Sequence, residues 1–112
     1  MNRKIIVLIA LLTISGNSNA FYDGHKLAPL CTSENRGDNN ICASYLISIV
    51  DTVRTLEHWK LLIEKDFCIP ANVTAGQLAK VFIKYMNKHS ENLHHRASSL
   101  AMNAFSHSFP CK

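Results

Sequence analysis

Four cysteines, Cys31, Cys42, Cys68 and Cys111, are the residues of this 112-residue chain with the clearest potential for chemistry. They could bind zinc, react as thiols or form disulfides. A structural zinc site needs closely spaced cysteine and histidine ligands, but the chain has no Cys-x-x-Cys pair and its histidines form no ligand pattern with the cysteines. We therefore expect no metal site and no cofactor. An even number of cysteines in a short chain predicts two disulfides instead, if the sequence also indicates export to an oxidising compartment.

Histidine and serine are the other candidates for catalysis. The histidines are densest towards the C-terminus, at His89, His94, His95 and His107. No His-x-x-x-His pair places two imidazoles on one helix face, so solvated or capping histidines are the favoured interpretation. The adjacent serines at 98 and 99 lack the glycine-rich elbow of a serine nucleophile. The sequence therefore predicts a binding protein and not an enzyme.

Residues 1–20 have the features of a secretory signal peptide. Arg3 and Lys4 precede an apolar run that is too short to span a bilayer, and Ser18 and Ala20 supply small side chains at positions −3 and −1 of a cut before Phe21. We expect cleavage after Ala20 and a single periplasmic domain, residues 21–112, with no membrane contact afterwards. Removing the signal lowers the formal charge from +4 to +2, and no basic run predicts nucleic-acid binding.

The first half of the mature chain is predicted to be a loop followed by one long helix. Gly24, Pro29 and Gly37 interrupt residues 21–40, which we expect to be irregular. Asp38 or Asn39 could cap a helix that runs to about Glu64. The pattern is also compatible with a bend or break of this helix near His58. Its predicted buried stripe consists of Ile41, Tyr45, Ile49, Val53 and Leu56, extended by Trp59 and broadened by Leu46, Ile47 and Val50.

The second half is predicted to be a helical hairpin with a cysteine and a proline at each open end. Thr74 and Gln77 form a capping box, after which a stripe at helical spacing consists of Leu78, Val81, Phe82, Tyr85 and Met86. A polar turn, residues 87–92, separates it from a second stripe made of Leu93, Ala97, Leu100, Ala101, Ala104 and Phe105. The fold class is therefore all-α, a small disulfide-stabilised bundle of about three to four helices.

The helix order also predicts how the cysteines pair. Short connections make neighbouring helices antiparallel, so Cys68 and Cys111 should meet at one end of the bundle. Cys42, at the start of the long helix, should lie at the other end with the segment that carries Cys31. Because a disulfide needs α-carbons within about 7 Å, this geometry favours Cys31–Cys42 and Cys68–Cys111.

These motifs resemble the Rap/Tai-type immunity proteins, which protect bacteria against type VI secretion amidase effectors. Cys42, Tyr45 and Asp51 follow the family's Cys-x-x-Tyr-(Ile/Leu)-x-Gly-x-x-Asp pattern, with Ser48 in place of the glycine. Ser90 stands in place of the proline in the family's His-Pro-Glu. The order and spacing of the remaining motifs also agree: Phe67-Cys68-Ile69-Pro70, Val73-Thr74, Gln77-Leu78, Tyr85-Met86, His89-Ser90-Glu91, Leu93-His94 and Phe109-Pro110-Cys111.

The resemblance implies a helical, often homodimeric periplasmic protein that blocks the cleft of a peptidoglycan amidase with Cys–His chemistry. Two segments are candidates for the blocking element, residues 32–40 and the polar turn, and the turn is preferred because helices hold both its ends. Its candidate partner-binding residues are Lys88, His89, Ser90, Glu91 and Asn92. The alternative is a periplasmic acid-stress chaperone or another small binding protein, since six histidines would gain charge near about pH 6.

Overall fold

The computed structural model describes residues 21–112, and the predicted signal peptide lies outside the described residues. This part of the chain contains four α-helices and one short 3₁₀ helix, and its only β-type pairing is an isolated bridge between Asp23 and Arg96. The predicted all-α class is confirmed. The elements are α1 (Gly24–Thr32), α2 (Arg36–His58), α3 (Ala75–Lys88), the 3₁₀ helix (Ser90–Asn92) and α4 (Ala97–Ser108).

The prediction of a loop over residues 21–40 is wrong, because α1 and the start of α2 occupy most of it. The Asp23 side chain caps α1 by accepting from the Lys26 amide at 2.9 Å. Leu27 is fully buried in the core, and this burial stabilises a helix of little more than two turns. Pro29 lies inside the helix and removes one intrahelical hydrogen bond without ending it.

The long helix α2 begins earlier and ends earlier than predicted. Asn35, and neither Asp38 nor Asn39, is its N-cap, and its side-chain oxygen accepts from the amides of Gly37 and Asp38 at 2.7 and 3.3 Å. The helix does not run to about Glu64 but ends at His58, where a bend or break was expected, and Lys60 follows with a left-handed φ of 57°.

The buried face of α2 is rotated from the predicted one. Its buried residues are Cys42, Leu46, Val50 and Val53, whereas Tyr45, Ile49 and Leu56 are half-buried. Ile41, Ile47 and Trp59 are exposed, so their predicted burial is wrong. The sequence offers more apolar residues on α2 than one face can hold. Contacts with α1, which was not predicted, and with α3 and α4 cover part of them.

Helix α3 agrees with its predicted cap and stripe. The Thr74 hydroxyl accepts from the Gln77 amide at 3.2 Å and the Gln77 side chain accepts from the Thr74 amide at 2.8 Å, which completes the capping box. Leu78, Phe82 and Met86 are buried, and Val81 and Tyr85 are half-buried beside them. Because α3 has a single continuous apolar stripe, only one of its faces can be buried.

Helix α4 begins at Ala97, four residues later than its apolar stripe suggested. Leu93 follows the 3₁₀ helix and is half-buried, outside α4. Inside α4 the predicted residues Ala97, Leu100, Ala101, Ala104 and Phe105 are all buried. Three alanines among them let α4 approach its neighbours closely.

The two disulfides join the pairs favoured by the helix order. Cys31 and Cys42 link α1 to α2 across 11 residues, with their α-carbons 5.1 Å apart. Cys68 and Cys111 lie 43 residues apart in sequence, with α-carbons 5.0 Å apart, and the Cys68 amide donates to the Phe109 carbonyl at 2.8 Å. The edge of Phe67 packs on Phe105 at a ring distance of 5.6 Å, so this end of the bundle is closed by covalent and apolar contacts.

The N-terminal segment closes the opposite end. Tyr22 accepts from the Ala97 amide at 2.9 Å and stacks on Tyr45 of α2 at a ring distance of 5.6 Å. The amides of Gly24 and His25 donate to the carbonyls of His95 and Leu93, both at 3.1 Å. The start of α4 therefore lies at the N-terminal half of α2, which agrees with the predicted parallel course of these two helices.

Candidate functional site

The polar turn is an ordered connection and not a flexible loop. Asn87 and Lys88 form the last residues of α3, His89 is its C-cap, and Ser90 to Asn92 wind into the 3₁₀ helix. The His89 amide donates to the carbonyls of Tyr85 and Met86, at 3.0 and 3.2 Å, which pairs two of the last four carbonyls of the helix. The backbone of the turn is thus fixed before any partner binds.

Some side chains of the polar turn contact neighbouring residues, and others are exposed to solvent. His89 lies on the ring of Tyr85, with 4.3 Å between ring centroids, and its Nδ1 is 3.6 Å from a carboxylate oxygen of Glu91. Two thirds of the Glu91 side chain remains exposed, and Lys88 and Ser90 are exposed as well. The turn therefore presents one cation, one anion and a hydroxyl on a rigid base.

The segment after the turn is held by the first residues of α1. Leu93 and His95 accept the backbone hydrogen bonds from His25 and Gly24 described above. Both ends of the connection between α3 and α4 are therefore anchored, one by helix α3 and the other by the start of α1. All five predicted partner-binding residues come together in this one anchored element.

The second predicted blocking segment, residues 32–40, does not have the expected form. Only residues 33–35 lie between α1 and α2, and a local network holds them. Ser33 donates to the Asp38 carboxylate at 2.7 Å and accepts from the Asn35 amide at 3.0 Å. The polar side chains that suggested a loop are instead the caps and braces of α2.

Sequence reasoning missed an exposed apolar loop, residues 59–66, between α2 and the Cys68–Cys111 disulfide. Trp59 and Leu61 are 62% and 64% exposed, and Ile63 is fully exposed. Leu62 alone packs against the core. Large exposed apolar side chains in one short stretch are typical of protein interaction sites. The available signal was the run of three consecutive apolar residues at positions 61–63, since one face of a helix cannot bury all three.

Four histidines make contacts with neighbouring rings. The ring centroid of Tyr85 is 4.3 Å from that of His89 and 6.4 Å from that of His107. The rings of His94 and His95 pack edge to face, with 4.4 Å between their centroids, and both side chains are exposed to solvent. Within residues 21–112, no three histidine, cysteine, aspartate or glutamate side chains lie close enough to hold a metal ion.

Comparison with known protein families decides the assignment. The family model of the Rap1a immunity proteins matches residues 23–111, which is nearly all of the described chain. The chain belongs to the Rap1a immunity protein family. The match begins at Asp23, the cap of α1, and ends at Cys111, so the Rap1a match includes all four helices and both disulfides.

Membership of the Rap1a family confirms the resemblance drawn from the motifs and assigns an immunity role, which implies binding to a partner effector protein. No curated protein and no solved structure matches the chain. None of the helices in residues 21–112 combines the length and the apolar character that a membrane span requires.

Proposed function

We propose that the mature chain acts in the periplasm, where it binds a type VI secretion peptidoglycan amidase and blocks its active-site cleft. The observation that carries this proposal is the Rap1a family match over residues 23–111, joined to the motif resemblance to amidase-specific immunity proteins. The signal-like residues 1–20 support export, and the two disulfides suit an oxidising compartment. The partner is the cognate effector, and inhibition occurs by occlusion without modification of the enzyme.

The polar turn is the proposed blocking element. A cleft that accepts peptide stems has to be filled by an exposed element that loses little conformational freedom on binding. The turn meets this requirement because its backbone is wound into a 3₁₀ helix and His89 rests on Tyr85. Lys88 and Glu91 then supply opposite charges to partner groups at the cleft rim.

Inhibition of the amidase encoded beside the gene tests the proposal. Oxidised residues 21–112 should inhibit it stoichiometrically with a nanomolar Kd, a binding free energy of about −12 kcal/mol. The double reversal Lys88→Glu with Glu91→Lys should weaken inhibition and leave Tm nearly unchanged. The matched control, Arg54→Glu with Glu57→Arg, has the same sequence spacing and lies on α2 away from the turn.

Three outcomes would redirect the assignment. Unchanged inhibition by the turn variant, together with loss on Trp59→Ser, would place the blocking element in the apolar loop. Failure to bind the amidase, with suppression of aggregation of unrelated proteins at acid pH, would favour the chaperone alternative. A periplasmic protein whose intact mass still includes Arg3 and Lys4 would contradict cleavage after Ala20.

The resemblance also supports a homodimer as part of the proposal. Phe21 and Ile41 are exposed apolar residues beside the stacked pair Tyr22 and Tyr45, and together they line one open depression. Light scattering across a range of concentrations measures the mass directly. A monomer at all concentrations would remove the dimer and leave the inhibitory role intact.

A further inference from the structure

The surface of α3 that faces away from the core carries three lysines in a row. Lys80, Lys84 and Lys88 are exposed and follow each other at intervals of four residues, so they lie on one helix face about 6 Å apart. Helix α3 contains no aspartate or glutamate, and no lysine of residues 21–112 lies within 4.0 Å of a carboxylate. Like charges at this spacing on a helix repel each other.

These lysines line one side of a groove, which we call the lysine groove. It has a volume of about 760 Å³ and lies between α3 and the start of α2, with the Cys31–Cys42 disulfide among its lining residues. Ala43, Ala79 and Ile83 contribute a half-buried apolar floor. Gly76 opens it further, because a β-carbon there would meet no atom closer than 3.9 Å.

The opposite side of the groove offers no compensating negative charge. Its polar lining residues there are Thr32, Asn39 and Asn40, which are all uncharged. The groove is therefore apolar at its floor and positive along one side. A ligand that fits must combine an apolar face with acidic groups at about 6 Å intervals, which is the spacing of residues i and i+4 on a helix.

A small molecule is a poorer fit than a helix. Small-molecule sites depend on a few buried polar groups that fix the ligand's orientation. No polar or charged residue of the described chain is buried, so this groove lacks such groups. The small side chains at positions 43, 75, 76 and 79 instead permit the close axial approach that two packed helices need.

We propose that the lysine groove binds an acidic amphipathic helix of the effector, as a second contact beside the blocking turn. Lys88 belongs to both the groove and the polar turn, so the two surfaces are continuous. The effector helix lies along α3 with its apolar face on Ala79 and Ile83 and its carboxylates opposite the lysines. Only the identity of the partner rests on the proposed function, since the groove's charge and shape are features of this chain.

The test variant is Lys80→Glu with Lys84→Glu. It reverses the charge at two of the three groove lysines and leaves Lys88 and the turn intact. The control is Arg54→Glu with Lys112→Glu, which makes the same change in net charge at exposed positions outside the groove. Binding of the effector encoded beside the gene should weaken at least tenfold in the test variant and less than twofold in the control. The dependence of Kd on salt should also become shallower in the test variant, because screened charge pairs have been removed.

A second measurement does not use the effector. A stabilised helical peptide of about four turns, with glutamate at every fourth position and leucine or alanine elsewhere, should shift the amide resonances of Gly76, Ala79 and Ile83. Replacing its glutamates with glutamine should abolish the shifts, as should the Lys80→Glu, Lys84→Glu protein. This arm reports on the groove even if the effector is not an amidase.

Effector affinity that is unchanged by Lys80→Glu with Lys84→Glu overturns the proposal, as does a peptide that shifts no groove resonance. Lysine-dependent binding to vesicles of anionic phospholipid, without binding to the peptide, also overturns it and makes the stripe a membrane contact. Full inhibition of the amidase by a saturating amount of the test variant is expected, because the turn is intact. A failure of the proposed amidase function would appear differently, as a lack of amidase inhibition by wild type and by the turn variant alike.

Discussion

Gly24 and Leu93 are in direct backbone contact where α1 crosses the segment that precedes α4. A β-carbon added to Gly24 would lie 2.8 Å from the Leu93 carbonyl oxygen and 3.0 Å from its α-carbon. It would also come within 2.8 Å of a methyl carbon of Leu100. Gly24 is buried, and the adjacent His25 amide donates to the same Leu93 carbonyl, so the backbone has little freedom to move away.

Gly24→Ala should therefore destabilise the domain. Overpacking of this kind costs about 1–3 kcal/mol, which exceeds the gain in helix propensity from alanine. Gly76→Ala is the matched control, because its new β-carbon has open space and should stabilise α3 by up to about 1 kcal/mol. Urea unfolding measures the free energy of unfolding of both variants. Stabilisation by Gly24→Ala together with destabilisation by Gly76→Ala would show that α1 does not dock as described.

The core stripe of α3 should be far more sensitive than its lysine face. Phe82 is completely buried, and Phe82→Ala should lower the free energy of unfolding by about 3–5 kcal/mol. Lys84→Ala, two residues further along the same helix but exposed, should change it by less than about 0.5 kcal/mol. Similar losses from both variants in chemical denaturation would contradict the assigned face.

The two disulfides should contribute unequally to stability. Cys68–Cys111 closes a span of 43 residues and Cys31–Cys42 a span of 11, so the loop-entropy term predicts that losing the former costs about 1 kcal/mol more. The comparison should use Cys68→Ala with Cys111→Ala against Cys31→Ala with Cys42→Val, because Cys42 is buried and valine fills its place. A larger loss from the short span would mean that native-state contacts outweigh chain entropy here.

Neighbouring residues of the apolar loop should behave differently. Leu62 packs against the core, and Leu62→Ala should cost about 1–2 kcal/mol for a half-buried side chain. Ile63 is fully exposed, so Ile63→Ser should leave the unfolding free energy within about 0.5 kcal/mol of wild type and improve solubility. A large loss at Ile63 would indicate that the loop folds back onto the bundle in solution.

The sequence predicts elements best where a single strong local signal exists. Thr74 and Gln77 define the start of α3, and its stripe is continuous, so cap, face and burial were all predicted correctly. In α1 the local signals conflict, because Gly24 and Pro29 are breakers whereas Leu27 is spaced for a core contact. Tertiary burial of Leu27 decides the conflict, and no local rule contains that contact.

The candidate site shows the same division. The polar turn was recognisable because it interrupts two stripes, and partner binding by its five candidate residues, 88–92, stays a prediction. The apolar loop was not recognised, because Trp59 continues the helical spacing of α2 and the helix end at His58 has no glycine or proline to mark it. The lysine groove was not predicted either, since one of its walls is formed by α1 and the start of α2.

The hydrogen bonds that join residues 22–25 to residues 93–97 have a consequence for the order in which the chain can fold. Residues 22–25 have their backbone partners at residues 93–97, so the bundle cannot close before the chain is available as far as Ala97. The Cys31–Cys42 pair is local and can form early, whereas the Cys68–Cys111 pair has to wait for residue 111. A fragment that stops short of residue 93 therefore lacks the backbone partners of α1, although it contains both cysteines of the Cys31–Cys42 pair.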